Sequence, residues 1–318
     1  MRQPDFWTRD DWRSRLMAPL GWLYGASVAW KAARAKPYRP RAAVVCVGNL
    51  SIGGAGKTPV AIEIARRLIA RGRRVFFLSR GYGGRLRGPI LVGEDSRAVD
   101  VGDEPLLLAE AAPVVVARDR RLGAALAMEN GADTIVMDDG HQNFAIAKDL
   151  SLVVVDGQAG FGNRRMIPAG PLREPVSQGL RRANAVVVTG AGAPDLGTFA
   201  GPVLRADLVN AGPDVAGKRL VAFAGIGRPA KFFDALKAQG AELVFVRFFA
   251  DHHPYSPSEI ARLKSRARSL EALLVTTEKD FARLGAAERE GILPMPVRAA
   301  FEDEAAIERL LDTLPPKG

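Results

Sequence analysis

Short apolar runs recur along the chain, alternating with stretches in which apolar residues return every three or four positions. Runs at 42–47, 75–78, 114–117, 134–137, 152–155 and 185–189 read as buried strands. The stretches 60–70, 106–111 and 120–130 read as helices, the last ended by Gly131. Strands without polar alternation are those covered on both faces, so the pattern predicts an α/β fold: a mainly parallel sheet with helices on either side. Residues 204–216 are punctuated by Gly, Pro and Asn and read as a linker. Beyond it, strands at 220–224, 243–249 and 272–276 and helices at 229–239 and 257–269 predict a second, smaller α/β unit, and 302–314 has a helical pattern. The expected organisation is an amino-terminal helical segment over 1–40, a first α/β unit over 41–212 and a smaller one over 213–318.

The amino-terminal segment has a different pattern. Trp12, Leu16, Leu20, Leu23, Ser27 and Trp30 line one face of a helix. The uncharged stretch between Arg15 and Lys31 is shorter than the roughly 20 residues that a spanning helix needs, and Pro19, Gly21 and Gly25 interrupt it. All four tryptophans of the chain, Trp7, Trp12, Trp22 and Trp30, lie here. Residues 1–41 also carry nine Lys or Arg against three Asp, more than half of the net charge of +10. Tryptophan favours the headgroup region and basic residues are drawn to anionic lipid, so residues 7–35 predict an interfacial helix in contact with a membrane surface. A cleaved signal peptide and a helix packed on the protein are the alternatives.

Composition is ordinary for a globular protein, with 47% apolar and 25% charged residues. The single cysteine, Cys46, cannot form an internal disulfide and falls in a predicted buried strand, which fits a reducing compartment. The strong basic balance raises nucleic acid as a partner, but no nucleic-acid-binding motif is present, and none is expected to bind.

Candidate chemistry begins directly after the first strand. Ser51-Ile52-Gly53-Gly54-Ala55-Gly56-Lys57-Thr58 leads from a strand into a helix, the setting of a P-loop. Backbone N–H groups of such a loop converge on phosphate oxygens; Lys57 would reach the β and γ phosphates and the Thr58 hydroxyl would ligate Mg²⁺. Ser51 stands where the motif's first glycine is usual, and Gly53 and Gly54 can supply the flexibility. Asp138 and Asp139 end a short apolar strand, a Walker B pattern that would hold the same ion, with either aspartate as its ligand. Asp103, in Gly102-Asp103-Glu104-Pro105, is either a helix cap or a carboxylate poised to take a hydroxyl proton. Asp251-His252-His253 holds two of the three histidines. Adjacent residues on a strand face opposite ways and no further His or Cys supports zinc, so a histidine tuned by Asp251 or by a carboxylate across a cleft is the better reading. Arginines at 118, 120, 121, 164, 165 and 173 suit an anionic acceptor.

These motifs occur in a distinctive order: Gly48-Asn49-Leu50 into the P-loop, Ser79-Arg80-Gly81-Tyr82-Gly83, Gly102-Asp103-Glu104-Pro105, Asp138-Asp139-Gly140, Pro168-Ala169-Gly170-Pro171-Leu172-Arg173-Glu174, Asp251-His252-His253 and Thr276-Thr277-Glu278-Lys279-Asp280-Phe281. The set closely resembles the tetraacyldisaccharide 4'-kinases, the lipid A kinases of Gram-negative bacteria, in which Ser at the first P-loop position is usual. The resemblance implies transfer of the γ-phosphoryl group of ATP, with Mg²⁺, to the 4'-hydroxyl of a tetraacylated glucosamine disaccharide 1-phosphate. It implies Asp103 as base with His252 as its partner, Lys57 as charge stabiliser, and Thr58 with Asp138 or Asp139 at the metal. Arg120, Arg173, Glu174 and Glu104 look like acceptor contacts. It also implies a monomer at the cytoplasmic face of the inner membrane, peripheral or monotopic, with the active site in a cleft between the two units. One departure is His141-Gln142-Asn143, where members commonly have an apolar residue, Gln, then His; no role is assigned to it. A P-loop GTPase or metallochaperone-type ATPase is the rival class. It expects a second lysine early in the loop, where Ile52 stands, or Asn-Lys-x-Asp for guanine, and Thr277-Glu278-Lys279-Asp280 has the wrong spacing.

Overall fold

The computed structural model describes residues 4–316. Positions 1–3 of the expected amino-terminal segment and positions 317 and 318 lie outside the described residues. Nine strands form one sheet: β1 (Ala43–Gly48), β2 (Val75–Ser79), β3 (Ile90–Leu91), β4 (Val114–Val116), β5 (Thr134–Asp138), β6 (Leu150–Asp156), β7 (Ala185–Thr189), β8 (Val203–Asn210) and β13 (Val297–Phe301). Their order is β13-β8-β7-β6-β1-β5-β2-β4-β3, parallel except at the two edge pairs, β13 with β8 and β3 with β4. The central strands are buried along their whole length, as their uninterrupted apolar runs require. Alternate residues of β1 feed opposite cores. Val45 and Val47 pack towards α2 (Lys57–Ala70), and Val44 and Cys46 towards the helix Arg120–Glu129.

The strand order fixes where the site lies. From β1 the chain runs through α2 to β2, past the place that β5 later fills, and then crosses to β6 on the other side of β1. The order therefore reverses at β1, and a crevice opens outside the carboxyl ends of β1, β5 and β6. The P-loop and Asp138 sit at that edge.

A second sheet, β10-β9-β11-β12, is wholly parallel and comprises β9 (Arg219–Ala224), β10 (Glu242–Phe248), β11 (Leu273–Thr277) and β12 (Ile292–Met295). The helices Pro229–Ala238 and Pro257–Ser269 cover its two faces through Phe233 and Leu236 on one side and Ile260 and Leu263 on the other.

Two expectations need correction. The stretch 204–216 is not all linker, because β8 occupies most of it and pairs with β7 and β13. Its inward residues Leu204 and Ala206 alternate with exposed Val203, Arg205 and Asp207, so no apolar run marks it. Nor does the smaller unit extend over 213–318. After β12 the chain returns to the large sheet as β13, and the helix Glu304–Leu311 buries Ile307 and Leu311 in the core beneath α2. Arg67 of α2 holds that helix through Glu304 at 2.5 Å and Glu308 at 2.8 Å.

The amino-terminal helix α1 (Trp12–Arg34) packs with the face opposite to its apolar stripe. Its buried residues are Ser14, Gly21 and Gly25. A Cβ on Gly21 would stand 2.7 Å from the carbonyl oxygen of Met166, so only glycine permits this approach. The predicted stripe points outward: Leu16 is 71% exposed, Trp12 68%, and Leu20, Leu23 and Trp30 are likewise exposed. No helix among the described residues is long and apolar enough to cross a membrane.

Candidate active site

The P-loop is shaped by its neighbours as well as by its glycines. Gly56 adopts φ 81°, a left-handed conformation, and a Cβ there would lie 2.9 Å from Leu208. No side chain caps the helix that follows, so the first N–H groups of α2 remain for an anion. The segment before it is braced by the Pro171-Leu172-Arg173 loop. Ile52 N donates to Pro171 O at 2.8 Å, and Arg173 N donates to Leu50 O at 2.7 Å. Thr189 Oγ1 donates to Ala55 O at 3.0 Å, tying the loop to the end of β7.

The two aspartates at the end of β5 differ. Thr58 Oγ1 donates to Asp138 Oδ2 at 3.2 Å, while Asp138 Oδ1 is buried with no hydrogen-bond partner among the described residues. Burial, then the charge of Glu104, pushes Asp138 up to about 7. Asp139, at φ 52°, donates its N–H to Val47 O and turns its carboxylate to the cations. Its Oδ1 accepts from Arg173 Nη1 at 2.8 Å and lies 3.7 Å from Lys57 Nζ. Against burial, those two charges hold it down at about 2. A hydroxyl beside an unpartnered carboxylate oxygen is a hard-donor pair of the kind that suits magnesium, which takes most of its remaining ligands from water and phosphate.

Across the crevice, the capping place of the helix Asp103–Ala109 is taken by Gly102, at φ 92°, where a Cβ would stand 2.5 Å from Tyr82 O. Asp103 is thus free of the cap, and its Oδ2 meets groups from the second sheet. His252 Nδ1 lies 3.1 Å away and Arg283 Nε donates at 3.0 Å, with Arg283 Nη2 closer still. Burial opposes ionisation of Asp103, but the His252 hydrogen bond and the Arg283 charge outweigh it and hold the carboxyl well below the usual range. The same hydrogen bond raises His252 above its ordinary value, against partial burial. His252 sits at φ 57° and its N–H donates to Gly225 O at 3.1 Å, which aims the ring into the cleft. Asp251 is a looser neighbour, 3.8 Å from His252 Nε2. His253 is turned away, paired with Glu259 at 3.2 Å and stacked on Phe249.

The remaining expected residues fall into two groups. Glu104 pairs with Lys279 at 2.6 Å across the cleft, and both charges act on Asp138, so the two corners share one site. Arg120 is buried with Nε unpartnered and Nη1 donating to Ala117 O; burial and the neighbouring Arg80 charge lower it to about 10. Glu174, by contrast, is 1% exposed and bound by Arg182 at 2.5 Å and by Gln142 Nε2 at 2.9 Å. Gln142 also donates to Asn49 O and accepts from Arg173, so Glu174 braces the P-loop through Gln142. His141 has a packing role: its nitrogens bond Ser151 Oγ at 3.1 Å and Gly179 O at 3.0 Å, and burial drops it to about 3, keeping the ring neutral. Asn143 Oδ1 accepts from Ala145 N at 3.1 Å, an ordinary turn contact. Sequence reasoning missed Gln142 and Arg283. Arg283 lies one helical turn beyond Lys279, a spacing that would have placed both on one face.

Residues 13–315 match the family described as tetraacyldisaccharide-1-P 4'-kinase. The chain belongs to that family. The tetraacyldisaccharide 4'-kinase of Paramagnetospirillum magneticum is 51% identical over 99% of both chains, and that of Gluconacetobacter diazotrophicus 50% over 98% of both. The crystal structure of LpxK from Aquifex aeolicus in complex with ATP superposes with a TM-score of 0.75 at 25% identity, covering 94% of this chain and 98% of that one. Membership in the tetraacyldisaccharide 4'-kinases makes the chain a phosphotransferase of lipid A biosynthesis. The rival reading, a GTPase or metallochaperone switch, is set aside.

Proposed function

We propose that the chain transfers the γ-phosphoryl group of ATP to the 4'-hydroxyl of a tetraacylated glucosamine disaccharide 1-phosphate, with Asp103 and His252 at the acceptor oxygen. The observation that carries this reading is the contact of Asp103 with His252 across a cleft whose other wall is the P-loop. Residues 51–58 cradle the phosphates, and Lys57 and Arg173 offset charge on the transferring group. Thr58 and Asp138 would hold magnesium, which when bound would offset phosphate charge; the unpartnered Asp138 Oδ1 fits that part. The Asp103 carboxylate takes the hydroxyl proton as the 4'-oxygen bonds to phosphorus and the β,γ-bridging oxygen departs with ADP. A loose transition state asks mainly for position and charge, so an acid of low pKa serves well as an oriented acceptor. His252 holds that carboxylate through Nδ1, and the contact with Oδ2 raises the imidazole's pKa. Arg120, Glu104 and Arg173 face the anionic acceptor.

The outward stripe of α1 supports a peripheral attachment at the membrane interface, on the face where ATP is available, with the protein acting as a monomer. Trp12, Leu16, Leu20, Leu23 and Trp30 would lie among the acyl chains while the glycine face stays on Met166. The test is incubation in detergent with labelled ATP, Mg²⁺ and the disaccharide monophosphate. A labelled bis-phosphorylated lipid is the expected product; label released only as inorganic phosphate would overturn the reading.

A further inference from the structure

Beyond the pairing of Lys279 with Glu104, the segment Thr276-Thr277-Glu278-Lys279-Asp280-Phe281 has no part in the chemistry above, yet it leads directly to Asp103. Thr277 Oγ1 accepts from Asp280 N at 3.2 Å and donates to Asp280 Oδ2 at 2.6 Å, which fixes the start of the helix Glu278–Ala282. Asp280 is fully buried, and its Oδ1 accepts from Gly225 N at 3.0 Å, Tyr255 Oη at 2.7 Å and Arg283 Nη1 at 2.8 Å. Arg283 Nη1 donates also to Gly225 O at 2.8 Å. One corner of the guanidinium is thereby pinned to the second sheet. Its other edge, Nε and Nη2, crosses the cleft to Asp103 Oδ2. The Arg283 side chain is 7% exposed, so neither edge is shared with solvent to any extent.

Asp103 Oδ2 thus receives two donors from Arg283 and one from His252, more than its lone pairs require. Among the described residues, Oδ1 accepts only from the adjacent Glu104 N–H, at 3.1 Å. We propose that Arg283 is a positioning residue for phosphoryl transfer: with His252 it saturates Oδ2 of Asp103 and presents Oδ1 as the oxygen that takes the acceptor's proton. This rests on the assignment of Asp103 as base. A planar fork held at both ends fixes the plane of the carboxylate in a way that one imidazole contact leaves free to rotate. It also explains the motif, in which Asp280 holds the arginine and Lys279 engages the neighbouring Glu104.

The groups facing Asp103 are the cations Arg283 and Lys279 and the imidazole of His252, with Glu104 beside it, Asp251 behind His252 and Asp280 behind Arg283. Loss of the Arg283 charge raises the Asp103 carboxyl, so the acid limb of the kcat profile moves to higher pH. The experiment compares Arg283→Gln, Arg283→Lys and Asp103→Asn with the unaltered full chain, measuring kcat, KM for ATP and the pH profile. For Arg283→Gln we expect kcat to fall about 100-fold, with KM for ATP within about twofold and the acid limb moved up; for Arg283→Lys, a fall of about tenfold with the limb in place, since the charge remains. Wild-type kcat in both Arg283 variants, with Asp103→Asn inactive, overturns the role of Arg283 and leaves Asp103 as base. Activity in Asp103→Asn overturns both assignments. Parallel loss of kcat and ATP affinity marks Arg283 as merely structural and also overturns the proposal. If circular dichroism shows Arg283→Gln unfolded, Arg283→Lys decides alone: a tenfold loss supports the proposal and wild-type kcat ends it.

Discussion

Asp138 and Asp103 are both almost fully buried acids at the rim of one cleft, yet their surroundings differ in kind. Among the described residues, the P-loop corner leaves Asp138 Oδ1 without a partner and its carboxyl up at about 7, with Thr58 as the hydroxyl donor to Oδ2. The cross-cleft corner gives Asp103 three donors on one oxygen and holds its carboxyl low. Burial is common to both; the Glu104 and Asp139 charges push Asp138 further up, whereas the His252 hydrogen bond and the Arg283 charge bring Asp103 down. We expect the first corner to be completed by an ion that arrives with nucleotide, whereas the second already fixes one carboxylate oxygen before substrate comes. That division suits phosphoryl transfer, in which charge on the phosphates changes hands but the acceptor oxygen needs a fixed direction.

Substitutions can break this contrast in order of size. Asp103→Ala is expected to lower kcat by about 10³-fold while ATP affinity measured by calorimetry stays within about twofold. A variant retaining most of its turnover would remove the distinction between the corners. Asp138→Asn should cost about 10²-fold in kcat and raise the Mg²⁺ concentration needed for half-maximal rate. An unchanged Mg²⁺ dependence would put the metal elsewhere. A similar contrast runs across α1, between its outward stripe and its glycine face. Replacing Leu16, Leu20 and Leu23 by Gln should weaken sedimentation with anionic vesicles by at least about tenfold, with stability within about 0.5 kcal/mol. Gly21→Val should instead cost about 1–3 kcal/mol in thermal unfolding, because its Cβ would meet the Met166 backbone. The smallest effect is a pH dependence. His252 has a folded pKa above its ordinary 6.5, so its stabilising contribution is full below that value and fades as pH rises through the folded one. The gap in melting temperature between wild type and His252→Gln should therefore narrow with rising pH. A constant gap would mean that folding does not raise the imidazole's affinity for a proton.

Legibility followed locality. β1, the P-loop and the Asp138-Asp139 strand end were readable because apolar runs and glycine spacing are carried within a dozen neighbouring residues. β8 was not, since it alternates and is held by β13, almost a hundred residues later in the sequence. Gly212 and Pro213 belong to the connection that follows, and Asn210 is the last residue of the strand. The periodicity of α1 was visible, but which face packs was not. Small residues at Gly21 and Gly25 carry no hydrophobic signal, although they decide the contact. Arg283 was hidden for a related reason. One arginine among many in a basic chain declares its role only through Asp103, which lies far away in sequence.

The return of the chain through β13 has one last implication. Asn210 and Val297 stand opposite each other in the antiparallel edge pair, so everything between them is, in topological terms, the tip of a single overgrown hairpin. The apolar clusters of the large sheet take no residue from that tip, and the two clusters inside it take none from outside. The groups that meet Asp103 from the second sheet thus stand on a rim, and we expect that an engineer could rewrite them without disturbing the foundation beneath the P-loop.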